Sequence, residues 1–217
     1  MTLPPPDSQT LLLLGVWLCY FLIHSLLASL GVKRLVAERW PNRMPAYRLF
    51  FNLTALLLLI PPLWLTYRWQ GPWLWRWEGL WWWLVNALAA VALGLFWWSL
   101  RYYDSGEFIG LKQWREQERR VEDQEQFHIS PLHRWVRHPW YSLGLVLVWT
   151  RDMNAAFLWT AIVITAYFIV GSRLEEQKLM TYHGRAYRRY RERVPGLIPR
   201  PWRHLSRQEA EALERDA

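Results

Sequence analysis

The sequence predicts an all-α, polytopic membrane protein with about five transmembrane helices and a cytoplasmic C-terminal amphipathic helix. Of its 217 residues, 53% are hydrophobic and 18 are tryptophan, and the apolar residues are gathered into long uncharged runs. A soluble core of this size needs no such runs, whereas a helix needs about 20 apolar residues to cross ~30 Å of hydrocarbon. This hydrophobic, tryptophan-rich composition, together with 20% charged residues, also excludes a disordered or low-complexity protein.

Four uncharged runs are long enough to span a membrane, and they cover 11–30, 49–67, 79–100 and 153–172. A fifth run, 140–150, has 11 residues and must take in residues from the polar side before it. No basic residue precedes the first run, so we expect it to remain as a helix rather than to be cleaved as a signal peptide. We therefore predict a single membrane domain over 1–217, with transmembrane helices at about 10–30, 47–67, 79–100, 138–150 and 153–172, a cytoplasmic amphipathic helix at about 173–194 and a basic tail at 195–217.

The basic residues are distributed unevenly between the connections. The segments 31–48, 101–140 and 173–217 hold 23 of the 26 Lys and Arg residues, and only Arg68, Arg76 and Arg151 lie in the alternate connections. The positive-inside rule then places the basic segments in the cytoplasm and the N-terminus outside. This orientation accounts for the net charge of +8 without a nucleic-acid partner.

Two cytoplasmic segments hold ionisable groups arranged as if for a site. Arg137, His138 and Tyr141 precede or begin the short fourth helix, and ionisable groups at that depth tend to face a cavity. The alternative is that Arg137 is a snorkelling anchor and His138 a capping residue. Glu175 and Glu176 follow the last run at the same level, and adjacent helical residues point about 100° apart, so at most one of them faces a given pocket.

The helix after the glutamates is predicted to be amphipathic. Its apolar residues recur at helical spacing, and they are Leu179, Tyr182, Ala186, Tyr187, Tyr190 and Val194. The basic residues lie largely elsewhere around the helix, a pattern that suits a membrane surface. His24 lies inside the first run, where an ionisable residue is either hydrogen-bonded within the bundle or functional, and Asn52 is a weaker case of the same kind.

Several separate motifs agree with one known superfamily. The chain carries Val136-Arg-His-Pro-Trp-Tyr141, a hydrophobic hairpin, Glu175-Glu176, His183-Gly-Arg-Ala-Tyr-Arg-Arg-Tyr190 and Val194-Pro-Gly-Leu-Ile-Pro199. In order and spacing this resembles the isoprenylcysteine carboxyl methyltransferase and phospholipid methyltransferase superfamily. The chain departs from the usual pattern at Pro131 and His133, where the family has a glycine and a tyrosine.

Further motifs of the chain point to one branch. They are Leu22-Ile-His-Ser-Leu-Leu-Ala-Ser29, Lys33-Arg34, Tyr47-Arg-Leu-Phe-Phe-Asn52, Phe108-Ile-Gly-Leu-Lys-Gln113 and Trp149-Thr-Arg-Asp-Met153. They are similar to methanethiol S-methyltransferases and to NnrU-type proteins of bacterial inner membranes. The branch implies a small thiol as methyl acceptor.

The resemblance implies S-adenosylmethionine as cofactor and no metal. Its implied cofactor-binding residues are His138, Pro139, Tyr141, one of Glu175 and Glu176, and the C-terminal helix with Tyr187 and Tyr190. His24, Arg137 and Asn52 are the implied catalytic residues, because a thiol must be deprotonated before it acts as a nucleophile. Two alternatives stay open: a methyltransferase for a lipid-like acceptor, such as a lipid amine or an isoprenylated carboxylate, and an NnrU-like, non-catalytic or haem-associated membrane protein.

Overall fold

The computed structural model of the protein describes residues 7–119, 121 and 127–216. Residues 1–6 and 217 of the predicted membrane domain, and residues 120 and 122–126 of the predicted cytoplasmic segment 101–140, lie outside the described residues. The helices are α1 (Ser8–Ala28), α2 (Leu30–Arg39), α3 (Tyr47–Arg68), α4 (Gly79–Ser99), α5 (Ser105–Ile109), α6 (Leu111–Arg115), α7 (Pro139–Trp149), α8 (Ala155–Arg193) and α9 (Arg207–Arg215). Two short strands, β1 (Trp73–Trp75) and β2 (Met153–Asn154), pair in antiparallel fashion.

The all-α, polytopic membrane architecture predicted from the sequence is confirmed. Within the described residues four helical segments are long and apolar enough to cross a membrane, and they cover Ser8–Ala28, Pro41–Arg68, Gly79–Tyr102 and Ala155–Arg193. The predicted helix at 138–150 corresponds to α7, whose 11 residues are too few to span alone. The chain is an integral membrane protein.

The first predicted helix ends earlier than expected. Ser29 is extended, with ψ of 146°, and its side chain accepts a hydrogen bond from the Val32 backbone N–H. This cap stops α1 at Ala28 and starts the separate helix α2, which sequence analysis did not predict.

The chain forms two compact units. The first consists of residues 1–76, 103–124 and 153–163, and the second of residues 77–102, 125–152 and 164–217. In the first unit a buried polar node joins three helices: Trp17 Nε1 donates to Thr160 Oγ1 at 3.1 Å, and the Thr160 and Thr66 hydroxyls are 2.9 Å apart. The Tyr47 hydroxyl donates to the Leu27 carbonyl at 2.6 Å and so ties the start of α3 to the end of α1.

In the second unit α7 packs against α4 and forms the predicted hairpin with α8. Trp140 Nε1 donates to Ser99 Oγ at 2.9 Å, which joins α7 to α4. Between α7 and α8 the rings of Tyr141 and Phe168 stack at 4.8 Å, and a Cβ atom on Gly144 would lie 3.0 Å from the Phe168 ring. The missing side chain of Gly144 therefore lets the two helices approach closely.

The C-terminal half of α8 is amphipathic, as predicted, and protein covers four of the six apolar residues of its predicted stripe. Ala186, Tyr187, Tyr190 and Val194 are buried, and Ile129, Leu205 and Ala210 pack with this face in one core cluster. The 127–130 segment and α9 therefore cover this part of the stripe, and the short helix α9 was not foreseen. Leu179 is half-buried and Tyr182 is exposed, so contact of the remaining stripe with a membrane surface stays a prediction.

Candidate active site at the start of α7

The backbone in front of α7 is held by a second segment of the chain. The Arg137 and His138 N–H groups donate to the carbonyls of Pro195 and Gly196 at 2.8 and 3.1 Å. His138 is the N-cap residue and Pro139 the first residue of α7, a position where the missing proline N–H costs nothing. Segment 195–197, which we call the strap, thus fixes the Arg-His-Pro sequence through its backbone.

Arg137 and Glu176 form a buried ion pair. The Arg137 Nε and Nη2 atoms lie 2.8 and 2.7 Å from Glu176 Oε1, and the two side chains are 12% and 9% exposed. Arg137 Nη1 donates to the carbonyls of Arg191 and Val194 at the end of α8. The guanidinium group therefore joins the start of α7 to two parts of α8, and each of its three nitrogens is engaged.

His138 bridges the two glutamates. Its Nε2 lies 3.1 Å from Glu176 Oε1, and its Nδ1 lies 3.3 Å from Glu175 Oε2. A neutral imidazole carries one N–H and could donate to only one carboxylate, so this arrangement favours the doubly protonated, cationic ring. His138, predicted as part of the cofactor site, is thus positioned to orient both acids.

The two glutamates differ in what they leave open to a ligand. Glu176 is buried, and its second oxygen lies 3.3 Å from Arg191 Nε. The Glu175 side chain is 44% exposed. At most one of the pair was expected to face a pocket, and Glu175 is the one whose carboxylate remains accessible.

Aromatic rings continue the cluster into the hairpin. The His138 and Tyr141 rings stack at 5.6 Å with 11° between their planes, and Tyr141 stacks on Phe168 at 4.8 Å with 8°. A carboxylate beside aromatic faces is the environment that an organic cation prefers. The accessible Glu175 carboxylate beside these rings therefore fits an organic cation such as a sulfonium group.

The two predicted tyrosines of α8 lie in the protein core. Tyr187 and Tyr190 are 2% and 3% exposed, and both belong to the core cluster with Val194. The Tyr190 hydroxyl donates to the His133 carbonyl at 2.7 Å. Both rings are thus buried supports for the residues in front of α7.

His133 is a half-buried histidine five residues before His138. Its Nδ1 lies 2.7 Å from Ser130 Oγ. Burial lowers the pKa of His133 to about 4, and the positive charge of His138 is the second cause. The ring is therefore neutral at physiological pH.

His24 and Asn52 belong to the first unit, whereas Arg137, His138 and both glutamates belong to the second. The His24 ring lies 5.0 Å from Phe51 and 5.7 Å from Tyr20, between centroids. The Asn52 amide donates to the carbonyls of Phe108 and Ile109 at 3.0 and 2.9 Å. The catalytic roles of His24 and Asn52 stay predictions.

Two parts of the cluster were missed by sequence reasoning. Arg191 was assigned only to the basic face of the helix, although it pairs with Glu176. The strap acts through its backbone carbonyls, and no side-chain pattern signals such a role. Its Val-Pro-Gly-Leu-Ile-Pro motif was visible in the sequence, but only as part of the family resemblance.

Comparison with known proteins identifies the family. A methanethiol S-methyltransferase of Mycobacterium tuberculosis is 36% identical over 89% of this chain and 78% of its own length. A methanethiol S-methyltransferase from a Pseudomonas strain and methanethiol S-methyltransferase 2 of Bradyrhizobium diazoefficiens are each 30% identical, over 82% of this chain and 68% of their own lengths.

No family model matches the chain, and no solved structure matches it either. The relatives confirm the resemblance drawn from the motifs, and they favour neither the lipid and isoprenylcysteine alternative nor the NnrU-like one. By identity and by coverage of both sequences, the chain belongs to the family of methanethiol S-methyltransferases.

Proposed function

We propose that the chain is a membrane-embedded methyltransferase that uses S-adenosylmethionine to methylate a small thiol, with methanethiol as the preferred acceptor. The observation that carries the proposal is the exposed Glu175 carboxylate, which His138 orients beside the Tyr141 ring in a chain of this family. The activity for which the relatives are named supplies the acceptor, methanethiol.

The exposed groups of the cluster are the proposed cofactor contacts. The Glu175 carboxylate and the Tyr141 ring would attract the sulfonium cation. Arg191, whose side chain is 48% exposed, would pair with the carboxylate of the amino-acid part. Pro139 would hold the start of α7 rigid beneath them.

The buried groups have a supporting role in this proposal. Arg137, which the sequence suggested as catalytic, has its nitrogens engaged by Glu176 and by two carbonyls. Both ring nitrogens of His138 are engaged by carboxylates and cannot accept a proton. We therefore assign Arg137, Glu176, Tyr187 and Tyr190 to positioning, and we exclude His138 as the base.

Bound S-adenosylmethionine supplies an electrophilic methyl group on a positively charged sulfur. The acceptor thiol must lose its proton, because the thiolate is the nucleophile and a free thiol such as that of cysteine has a pKa of about 8.5. The thiolate would take the methyl group from the bound cofactor, which would leave as S-adenosylhomocysteine. His24 is the proposed group that receives the proton, and holding sulfur and methyl carbon ~3–3.5 Å apart supplies much of the acceleration.

The activity is tested by supplying several acceptors in parallel. Purified protein in lipid nanodiscs receives S-adenosylmethionine labelled in its methyl group, with methanethiol, a larger thiol, phosphatidylethanolamine or a prenylcysteine analogue. We expect transfer to methanethiol above the others. Transfer to the lipid or prenyl acceptor but to no thiol would refute the acceptor, and transfer to none would refute the proposed function.

Paired variants test the site. Glu175→Gln should weaken S-adenosylmethionine binding in calorimetry by roughly 10- to 150-fold, because losing the attraction between a carboxylate and a sulfonium cation costs about 1.5–3 kcal/mol. Glu211→Gln, at an acid in α9, is the matched control and should bind normally. Equal affinities in the two variants would remove Glu175 from the site.

A third variant separates the base from the cofactor site. His24→Ala should lower methyl transfer by roughly 10²–10⁴-fold while cofactor affinity stays unchanged, because general-base assistance is worth about that much. If His24 only packs within the bundle, the variant would instead lose thermal stability and activity together.

A further inference from the structure

The segment that follows the strap carries two exposed apolar side chains. Ile198 and Trp202 are 72% and 77% exposed. Pro199, Arg200 and Pro201 lie between them, and the turn is closed by the Arg203 N–H, which donates to the Arg200 carbonyl at 2.9 Å. Tryptophan, an aliphatic residue and arginine side by side are typical of the interface between a membrane and water.

The position of this turn along the hairpin agrees with that interface. In α8 the uncharged run ends before Arg173. A Cβ atom on Gly171, two residues earlier, would lie 3.8 Å from the Tyr141 hydroxyl, so the apolar part of α8 ends at the level of the first turn of α7. The Ser142 hydroxyl in that turn donates to the Leu197 carbonyl at 2.5 Å. Since consecutive Cα atoms are about 3.8 Å apart, Ile198 begins within one residue of this level.

We propose that Ile198 and Trp202 insert into the membrane leaflet that borders the N-terminal end of α7, with Arg200 on the phosphates of anionic lipid headgroups. Arg200 is exposed, whereas the Arg203 guanidinium donates to the Glu192 carbonyl. One cation thus faces outward between two apolar anchors. This surface lies outside the groups to which we assign methyl transfer.

The chemistry of the turn favours lipid over a protein strand as its partner. Pro199 and Pro201 have no N–H group, so this segment cannot offer the regular row of donors that an added strand requires. An apolar pair on a basic turn instead matches an anionic headgroup region, where each arginine adds to the attraction.

Insertion of Ile198 and Trp202 into the leaflet would restrain the backbone segment that holds Arg137 and His138. The strap lies immediately before the anchors, and its Pro195 and Gly196 carbonyls accept from Arg137 and His138. A Cβ atom on Gly196 would lie 3.3 Å from Arg137 Nη2 and 3.8 Å from Glu176 Oε1, so the strap runs over the buried ion pair. Holding the turn in a leaflet would restrain the strap at its far end.

The test measures where residue 198 lies relative to lipid. In a Cys19→Ser background, which removes the only cysteine, Ile198→Cys carries a nitroxide label in nanodiscs that contain anionic lipid. Electron paramagnetic resonance compares its collisions with oxygen, which concentrates in lipid, and with a nickel complex, which stays in water. The matched control is Gln208→Cys, at an exposed position of α9. We expect an oxygen-to-nickel ratio several-fold higher at 198 than at 208.

The other results would overturn the proposal. Equal ratios at 198 and 208 would place the turn in water. An immobilised label at 198 that neither reagent reaches would mean that protein covers the turn.

The role of lipid charge is tested with the same label at residue 198. With only zwitterionic lipid the ratio at 198 should fall, and Arg200→Gln should remove this dependence on lipid charge. If the ratio at 198 stays the same in zwitterionic lipid and in Arg200→Gln, the proposed role of Arg200 is overturned. These readouts need no methyl transfer, so they fail or succeed independently of the proposed activity.

Discussion

At the scale of single residues, the site depends on charges that are buried with their partners. Arg137 and Glu176 are both removed from solvent, whereas a second arginine of α8, Arg189, pairs with Asp216 on the surface. Removing one partner of a buried pair leaves an uncompensated charge, which water cannot reach. The guanidinium group therefore contributes more to the stability of the protein at position 137 than at position 189.

Replacing Arg137 should destabilise the protein strongly. Arg137→Ala leaves Glu176 buried with one guanidinium fewer and frees the carbonyls at the end of α8, so we expect a loss of about 3–5 kcal/mol in the free energy of unfolding. Arg189→Ala breaks an exposed pair and should cost at most about 1 kcal/mol. Denaturant unfolding in detergent micelles measures both, and similar losses would contradict the buried pair.

His133 should make stability depend on pH. Its pKa falls from 6.5 to about 4 on folding, because burial and the His138 charge disfavour the protonated ring. Above pH 6.5 this histidine is neutral in both states, and its contribution to stability is fully present. As the pH falls from 6.5 towards 4, only the unfolded chain gains the proton, so stability falls by up to about 1.4 kcal/mol per pH unit, or about 3 kcal/mol in all.

The comparison variant for this pH dependence is His133→Gln, which keeps a polar partner for Ser130 but does not titrate. Unfolding of the two proteins in detergent between pH 7 and pH 4 should give a flatter profile for the variant. Parallel profiles would show that His133 does not titrate with folding.

At the scale of elements, side chains of α3 hold the segment α5–Gly110–α6 by hydrogen bonds to its backbone. Asn52 and Arg48 both donate to the Phe108 carbonyl, at 3.0 and 3.2 Å. Gly110 has a φ of +99°, and a Cβ atom there would lie 2.8 Å from the Leu49 nitrogen. The two sequence motifs in which Asn52 and Gly110 stand, far apart in the chain, therefore form one structural joint.

Gly110→Ala should break this joint. The positive φ alone costs a residue with a Cβ about 1–2 kcal/mol, and the close contact with Leu49 adds to that cost. Gly15→Ala is the matched control in α1, where a Cβ would meet nothing within 4 Å. Thermal unfolding should show a lower midpoint for Gly110→Ala only; equal midpoints would mean that the segment shifts without cost.

The long elements were predictable because their signal is length without charge. The predicted ranges 47–67 and 79–100 agree with α3 and α4 within two residues. The short helices α2 and α9 were not predicted because neither has a long apolar run. The sequence nevertheless contains a signal for the start of α9. Ser206 and Glu209 form a capping box, and the Ser-x-x-Glu pattern predicts such a box.

The site was predictable where a hairpin forces two segments together. Arg137 and His138 precede α7, and Glu175 and Glu176 lie on the returning helix, so their approach follows from the topology. Which glutamate stays exposed depends on where Arg191 and the strap lie, and these positions follow from tertiary packing. The burial of Tyr187 and Tyr190 depends likewise on α9, which supplies the covering surface.

At the scale of the whole molecule, the asymmetry of basic residues predicts the orientation in the membrane. Segments 31–48, 101–140 and 173–217 hold 23 of the 26 Lys and Arg residues. Basic segments are retained on the cytoplasmic side, so the C-terminus should be cytoplasmic and the connection 69–78 should face outward. The proposed cofactor, made in the cytosol, would then reach Glu175 directly from its own compartment.

Reporter fusions in a bacterial host test this orientation. A fluorescent protein fused after residue 217 should fluoresce, because it folds in the cytoplasm, and alkaline phosphatase inserted in the connection 69–78 should be active, because it needs the oxidising exterior. The reversed pattern would contradict the charge argument. It would also place Arg137 and Glu175 on the side of the membrane opposite to the cytosolic cofactor. The proposed methyl transfer would then be refuted together with the orientation.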